Sequence, residues 1–236
     1  MPFGLRHRRR QPEVMDRPDL DPERHVHALQ GLERINRWSG SGGILWGAIR
    51  PLARETGAHP LRVLDVATGA GDVAVGLWHR ARRAGLALHV EGCDLSPRAL
   101  EYARGRAEQQ GADVEFFPLD ALNGEIPARY DVIVCSLFLH HLDEDQAVSL
   151  LRRMARAANR MVLVNDLARS PAGLVLAYLG TRLLSMSPVV QVDGPVSVRA
   201  AFSLEEVGAL AEQAGLAGAT VERRWPCRFL LTWRRP

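Results

Sequence analysis

The chain has 236 residues, of which 47% are hydrophobic and 24% are charged, and its net charge is +3. This length suits one large α/β domain, and this mixture of residues excludes wholesale disorder and fibrous folds. All 30 basic residues are arginine, which excludes a phosphate-binding-loop lysine, a Schiff-base lysine and a catalytic lysine.

Targeting and metal-binding patterns are missing from the sequence. The apolar runs fall short of the roughly 18 residues that a membrane span needs, and no signal-peptide pattern opens the chain, so we expect a cytoplasmic protein. Cys93, Cys135 and Cys227 form no C-x-x-C pair, which predicts core cysteines and no metal site. The basic cluster at 6–10 predicts a solvated arm, with no nucleic acid as partner. A monomer and a homodimer both remain open.

The N-terminal part predicts an arm and two helices. A helix is expected from about Asp21, with apolar side chains at helical spacing up to Ile35. The glycine-rich "SGSGG" then interrupts the chain, and a second helix begins at "ILWG". We therefore divide the chain into an N-terminal arm and helical cap, 1–56, and a core, 57–236.

Strands alternate with helices through the core. "LRVLDVA" from residue 61 is a strand followed by a glycine turn and a helix, and "LHVEGCD" with "SPRALEYARG" repeats that unit. Further strands are "VEFFPLD", "YDVIVCS" and "RMVLVNDL", and two strands flank "WPC" near the end. This alternation predicts a doubly wound α/β fold with a mostly parallel seven-stranded sheet and an antiparallel C-terminal edge strand.

A long connection is expected at about 186–202. "SMSPVVQVDGPVSVRAAF" contains two prolines and a glycine, which break regular structure. Long connections in compact domains are usually functional, so this segment predicts a lid insertion over the substrate. The following "SLEE" predicts a capping box from Ser203 to Glu206.

The glycine turn after the first strand indicates an adenosine-containing cofactor. In "LDVATGAGD", Gly69 and Gly71 let the backbone approach a ligand closely, and the next helix points its N-terminal amides at the same space. "GAGDVA" also fits a dinucleotide fingerprint with Asp94 downstream. However, Asp65 would repel a pyrophosphate and suits a cationic amino acid group, which favours S-adenosylmethionine (SAM) over NAD. Asp120 ends the third strand as an acceptor for an adenine amino group.

Residues 61–166 resemble the class I, Rossmann-like SAM-dependent methyltransferases. "VLDVATGAGD" is similar to the first motif of ubiquinone and menaquinone methyltransferases, and "LHH" after the fourth strand is similar to natural-product O-methyltransferases. The resemblance implies SAM as cofactor. It also implies that the following residues bind it: Asp65, Ala67, Thr68, Gly69, Gly71, Asp94, Leu95, Asp120, Ala121 and Ser136.

Two adjacent histidines follow the fourth strand. His140 and His141 are expected beside the methyl donor, and Asp166 ends the neighbouring fifth strand. Either imidazole could act as general base with Asp166 fixing its tautomer, since a hydroxyl becomes nucleophilic as its proton leaves. A divalent metal held by both histidines and an aspartate is the weaker alternative. The sequence leaves the choice between the histidines open.

The acceptor is expected to contact the N-terminal helices and the 186–202 connection. Apolar side chains there predict a hydrophobic acceptor: Leu176, Tyr178, Leu184, Met186 and Val189. Polar contacts are predicted from Arg34, Asn36, Trp38, Asn165, Arg182 and Arg199. We therefore predict O-methylation of a phenolic or polyketide-type hydroxyl in secondary metabolism. C-methylation of a quinol ring is the alternative, and an NAD-dependent oxidoreductase is a more remote one.

Overall fold

The computed structural model of the protein describes residues 5–17, 19–57 and 59–236. The strands are β1 (Leu61–Val66), β2 (Leu88–Asp94), β3 (Val114–Pro118), β4 (Tyr130–Ser136), β5 (Ala158–Leu167), β6 (Thr220–Arg224) and β7 (Arg228–Arg234). The α-helices are α1 (Pro22–Trp38), α2 (Ser41–Glu55), α3 (Asp72–Arg83), α4 (Pro97–Gln109), α5 (Glu144–Ala157), α6 (Pro171–Leu184), α7 (Pro188–Ala200) and α8 (Leu204–Gln213). Within the described ranges, no helix is both long enough and apolar enough to cross a lipid bilayer.

The strands form one seven-stranded sheet in the order β3-β2-β1-β4-β5-β7-β6. β1 to β5 run parallel, while β7 is antiparallel to β5 and β6 is antiparallel to β7. The doubly wound α/β fold with an antiparallel C-terminal edge is therefore confirmed. The strand order reverses between β1 and β4, and ligands of open α/β sheets bind in the crevice at such a point.

Both faces of the central strands are buried, which explains their continuous apolar runs. On one face, Leu64 and Val66 of β1 pack with α5 and α8. On the other face, Leu61 and Val63 pack with α2 and α3. Thus α2 belongs to the helical layer on the sheet, whereas α1 lies against α6 and α7.

The helix-start signals in the sequence locate most helices correctly. Asp21 caps α1, Ser96 caps α4, and the capping box of Ser203 and Glu206 opens α8. The second helix begins earlier than expected, at Ser41 instead of Ile44. The break between α1 and α2 consists of Ser39 and Gly40, and the φ of Gly40, 72°, is left-handed, so the next residues of "SGSGG" are free to enter the helix.

The segment at 186–202 is not the irregular connection that the sequence predicts, because it contains helix α7. Pro188 stands in the first turn, where its missing N–H costs nothing, and the buried side chains recur at helical spacing from Val190 to Ser197. Gly194 packs against α6, since an added Cβ would lie 2.4 Å from Cγ2 of Thr181. Proline and glycine thus mark a helix start and a close helix contact here.

The close contact at Gly194 predicts a position-specific cost. Gly194→Ala should lower the free energy of unfolding by about 1–3 kcal/mol, because the added methyl group overpacks the contact with Thr181. Gly208→Ala in α8 is the matched control. No atom lies within 4 Å of its added Cβ, so it should raise stability by about 0.5–1 kcal/mol. Thermal unfolding, monitored by circular dichroism, measures both variants. Equal changes in their stability would contradict the packing of α7 on α6.

The N-terminal arm, residues 5–17, is docked on the core, although four of the five residues in the basic cluster at 6–10 are exposed, as the sequence predicts. Leu5 is buried with Leu174 and Val198, and the guanidinium of Arg8 lies 3.7 Å from the ring centroid of Phe202. Arg8 and Arg10 also donate to backbone carbonyls of the turn that carries the two histidines. Their charges therefore bind the protein's own backbone, a role that a count of basic residues does not reveal.

Candidate active site

One large cavity of about 860 Å³ lies beyond the carboxyl ends of β1, β2 and β4. The arm, α1, α6 and α7 contribute its remaining walls. This volume is at the upper end of the range for small-molecule sites, which leaves room for a cofactor and an acceptor together. The crevice expected at the reversal of strand order is thus a real cavity.

Asp65 lies at the first strand tip and is 1% exposed. Its Oδ2 accepts a hydrogen bond from the Thr68 hydroxyl at 2.7 Å, while Oδ1 has no partner among the described residues. Burial raises the pKa of Asp65 to about 7. A buried carboxyl group with an unpartnered oxygen is stabilised by a cation, so the site favours a positively charged ligand group.

Asp94 shapes the glycine turn at the second strand tip. Its Oδ2 accepts from the backbone N–H of Gly69 and its Oδ1 from that of Ser96, each at 2.9 Å. Gly69 has a φ of 52° and Ala67 a φ of 54°, both in the left-handed region. Gly71 also has a positive φ, but it is absent from the cavity wall. An added Cβ there would lie 2.8 Å from the Phe116 ring, so this glycine serves packing.

The other predicted cofactor residues also surround the cavity. Asp120 accepts from the backbone N–H groups of Leu122 and Asn123, so it stabilises a turn as well as facing the cavity. Asn165 is fully buried and donates to the Ser136 hydroxyl at 3.0 Å, which fixes that side chain. The predicted cofactor residues in the wall are Asp65, Ala67, Thr68, Gly69, Asp94, Leu95, Asp120, Ala121 and Ser136.

His140 and Asp166 form a buried pair at the ends of neighbouring strands. β4 and β5 pair directly, with Ser136 opposite Asn165, and the 3₁₀ turn after β4 carries His140 back over β5. Nδ1 of His140 lies 2.7 Å from Oδ1 of Asp166, and the His140 backbone N–H donates to Oδ2 at 3.2 Å. Asp166 therefore fixes both the tautomer and the orientation of this imidazole, leaving Nε2 toward the cavity.

The pair shifts both pKa values. Burial alone lowers the pKa of His140, but the charge and hydrogen bond of Asp166, together with Glu13, outweigh burial and raise it to about 10. Burial raises the pKa of Asp166, but the adjacent His140 outweighs it and holds that pKa below its usual range. In this conformation the pair is an imidazolium and a carboxylate at neutral pH.

His141 has a different partner. Its Nδ1 lies 2.9 Å from Oδ2 of Asp16, an exposed residue of the arm. His141 is only partly buried, and its ring partly faces that of His140, with centroids 4.3 Å apart. Of the two histidines, His140 is the one paired with Asp166.

Glu13, His140 and His141 each offer one ligand atom, and these atoms lie within 4.8 Å of one another. Nδ1 of each ring already faces an aspartate carboxylate, so Nε2 is the atom that each ring presents to Glu13.

Only some of the predicted acceptor residues lie in the cavity wall. Asn36 and Trp38 line the cavity, as do Leu176 and Leu184. Asn165 is buried behind Ser136. The structure does not bring Arg34, Arg182 and Arg199 into the wall: each donates to a nearby backbone carbonyl at the surface. Tyr178 and Met186 are also exposed, and Val189 is buried outside the wall.

Several residues of the wall were missed by sequence reasoning. Glu13 comes from the arm, Asp193 and Ser197 come from α7, and Arg228 begins β7. Arg228 is 3% exposed and donates to the Ser39 hydroxyl at 2.6 Å, and burial lowers its pKa to about 10. No periodicity or motif marks these positions, because they meet only through the packing of distant segments.

The sheet order, the acidic strand tips and the buried histidine agree with the arrangement expected of a class I, Rossmann-like SAM-dependent methyltransferase. Residues 63–160 match the family model described as a methyltransferase domain. Residues 63–160 therefore carry a methyltransferase domain, and the resemblance to the SAM-dependent methyltransferases seen in the sequence is confirmed for this part of the chain.

Two similar proteins are methyltransferases. A demethylmenaquinone methyltransferase of Deinococcus radiodurans is 35% identical over 125 residues, which are 52% of this chain and 50% of that protein. A ubiquinone biosynthesis O-methyltransferase of Bordetella parapertussis is 29% identical over 158 residues, 66% of this chain and 61% of that protein. The chain thus spans about half to three fifths of the length of these relatives.

A solved structure shares the fold. Magnesium protoporphyrin IX methyltransferase (ChlM) from Synechocystis PCC 6803, with bound SAH, superposes with a TM-score of 0.58 and 18% identity. The match covers 84% of each chain, so it extends beyond residues 63–160.

Proposed function

We propose that the protein transfers the methyl group of SAM to a hydroxyl group of a small, largely apolar acceptor, with His140 as general base and Asp166 as the residue that orients it. The observation that carries this proposal is the buried 2.7 Å contact between Nδ1 of His140 and Asp166 in the wall of the same cavity as Asp65 and Asp94. A phenolic or polyketide-type hydroxyl suits this site.

The residues present fit an adenosyl cofactor. The unpartnered Oδ1 of Asp65 suits the cationic amino group of the methionine portion. Asp94 is held by two backbone N–H groups at the tip of β2, where its remaining lone pairs can accept from ribose hydroxyls. Leu95 is 69% exposed in the cavity wall, where an adenine face would cover it.

The chain's own residues would prepare the acceptor for attack. When bound, SAM supplies an electrophilic methyl group on a sulfonium. Nε2 of His140 accepts the hydroxyl proton as the acceptor oxygen becomes nucleophilic, and Asp166 stabilises the resulting imidazolium. Leu176 and Leu184 exclude water around the acceptor and favour an apolar ring.

A second candidate is C-methylation of an electron-rich quinol ring. It is favoured by the similarity to a demethylmenaquinone methyltransferase, at 35% identity. The same base could serve it by removing the proton of a ring hydroxyl.

Calorimetry and isotope labelling test the proposal. We expect the protein to bind SAM and S-adenosylhomocysteine but not NADH, and Asp94→Ala to weaken both adenosyl ligands at least about tenfold, since a charged hydrogen bond contributes about 1.5–3 kcal/mol. Incubation with methyl-¹³C SAM and a panel of phenols should place the label on oxygen. Label on a ring carbon would select the second candidate, and NADH binding without SAM binding would exclude both.

A further inference from the structure

Glu13 of the N-terminal arm occupies the cavity side of His140. Its Oε1 lies 3.6 Å from Nε2 of His140, and its Oε2 lies 4.0 Å from Nε2 of His141. The Glu13 side chain is buried, and its Oε1 accepts a hydrogen bond from the Ser197 hydroxyl at 2.6 Å. A carboxylate thus stands in front of the nitrogen that the proposed reaction needs.

Contacts on both sides hold the arm in this position. Asp193 of α7 accepts from the backbone N–H groups of Val14 and Met15, at 2.9 and 3.0 Å. Arg8 donates to the carbonyl of His140 at 2.9 Å, and Arg10 donates to that of His141 at 3.0 Å. Glu13 is therefore fixed between α7 and the histidine turn.

The gap between Glu13 and His140 is too small for a substrate oxygen. An acceptor hydroxyl bonded to Nε2 needs about 2.7–3.0 Å from that nitrogen, and it needs a similar distance from any carboxylate oxygen beyond it. The 3.6 Å between Nε2 and Oε1 cannot contain both contacts in line. A hydroxyl that approaches Nε2 along the line from Glu13 must therefore displace that carboxylate.

We propose that Glu13 is a positioning residue for His140: it holds Nε2 in the resting enzyme and withdraws when an acceptor hydroxyl takes its place. The part of this proposal that concerns the acceptor rests on the proposed methyl transfer. The contact between Glu13 and His140 stands on the geometry alone.

Withdrawal of Glu13 would also prepare His140 as a base. The charged and titratable groups around this imidazole are Asp166 from β5, Glu13 and Arg8 from the arm, His141 beside it and Arg228 from β7, which lies near Asp166. With both carboxylates in place the ring is cationic and cannot accept a proton. When Glu13 withdraws, one of the two carboxylates that raise the pKa of His140 is lost, so the N–H bond at Nε2 breaks more readily and its proton passes to solvent water. The neutral ring that results can then take the proton of the acceptor hydroxyl.

Titration of the histidine rings by nuclear magnetic resonance tests the contact without any substrate. In protein labelled with ¹⁵N-histidine, Glu13→Gln should lower the pKa of His140 by about 1 unit or more, the effect of removing an opposite charge at this range. Loss of the resonance in His140→Gln assigns the signal. Asp16→Asn is the matched control, because it removes a carboxylate of the same arm that pairs with His141. Asp16→Asn should leave the pKa of His140 unchanged.

A second variant keeps the test valid if Glu13→Gln folds poorly. Ser197→Ala retains the Glu13 charge but removes its 2.6 Å hydrogen bond, so it should shift the His140 titration in the same direction by a smaller amount. An unchanged His140 titration in both variants would overturn the proposal.

Kinetics separate this inference from the proposed function. With an accepted phenol, Glu13→Gln should move the acidic limb of the pH profile to lower pH and reduce KM for the acceptor. An altered titration with no methyl transfer to any acceptor would reject the proposed function and keep the Glu13 contact. Normal turnover with an unchanged pKa of His140 and an unchanged pH profile would reject the role of Glu13 and keep the proposed function.

Discussion

A His140→Gln variant should lose at least about a hundredfold in kcat, because general-base help contributes about 10² to 10⁴ in rate. Its affinity for SAM should stay close to that of the parent, since His140 lies beyond the strand tips that carry Asp65 and Asp94. Glutamine approximates the size of the imidazole and preserves a polar contact with Asp166. Steady-state kinetics with a phenol acceptor and calorimetry with SAM measure the two quantities.

His141→Gln provides the contrast, because the two rings are adjacent but only His140 is paired with Asp166. We expect the kcat of His141→Gln to fall by less than about tenfold, which is below the range of general-base help. If both variants keep full turnover on an accepted phenol, neither histidine is the base. A larger loss in His141→Gln than in His140→Gln would reverse the assignment.

Asp166→Asn should lower the free energy of unfolding by about 3–5 kcal/mol, the cost of leaving a buried charge without its partner. Asp166 is 1% exposed and compensates two buried cations, His140 and Arg228. Glu222→Gln is the control, since Glu222 forms an exposed ion pair with Arg224 that contributes at most about 1 kcal/mol. Urea unfolding measures both variants, and equal losses would contradict the compensating role of Asp166.

The effect of Asp166→Asn should depend on pH. The folded-state pKa of His140 is raised from 6.5 to about 10, so its stabilising contribution is complete below 6.5 and is lost as the pH rises through about 10. The pKa of Asp166 is lowered from 3.8, so its contribution is present above 3.8 and is lost as the pH falls further. The difference in the free energy of unfolding between parent and variant should therefore be greatest between pH 3.8 and 6.5 and should narrow toward pH 10.

The sequence predicts the sheet well because each strand carries its own signal. Leu61 to Val66 form a short run rich in valine and leucine that a glycine turn follows, and Ser96 with Pro97 marks the start of α4. These signals are local, so they do not depend on distant packing. The prediction of an irregular connection at 186–202 was wrong for the opposite reason. Pro188 and Gly194 suggest a break when only neighbours in sequence are considered, but α6 and the first turn of α7 accommodate them.

The candidate site was predicted in part for similar reasons. Asp65, Asp94 and His140 follow strands of one parallel sheet, so their meeting at one edge follows from the fold class. The choice between His140 and His141 depends on how the 3₁₀ turn directs two adjacent rings, which a sequence pattern does not specify. Glu13 was missed because its contacts with Ser197 and His140 join the arm to segments more than a hundred residues away.

A crystal structure with bound S-adenosylhomocysteine tests the central claim most directly. We expect the nucleoside to lie across the tips of β1, β2 and β3, with the sulfur directed into the cavity and the His140 imidazole bordering the space beyond it. The account would be contradicted if the ligand occupied another surface, or if the sulfur faced a part of the cavity that neither histidine borders.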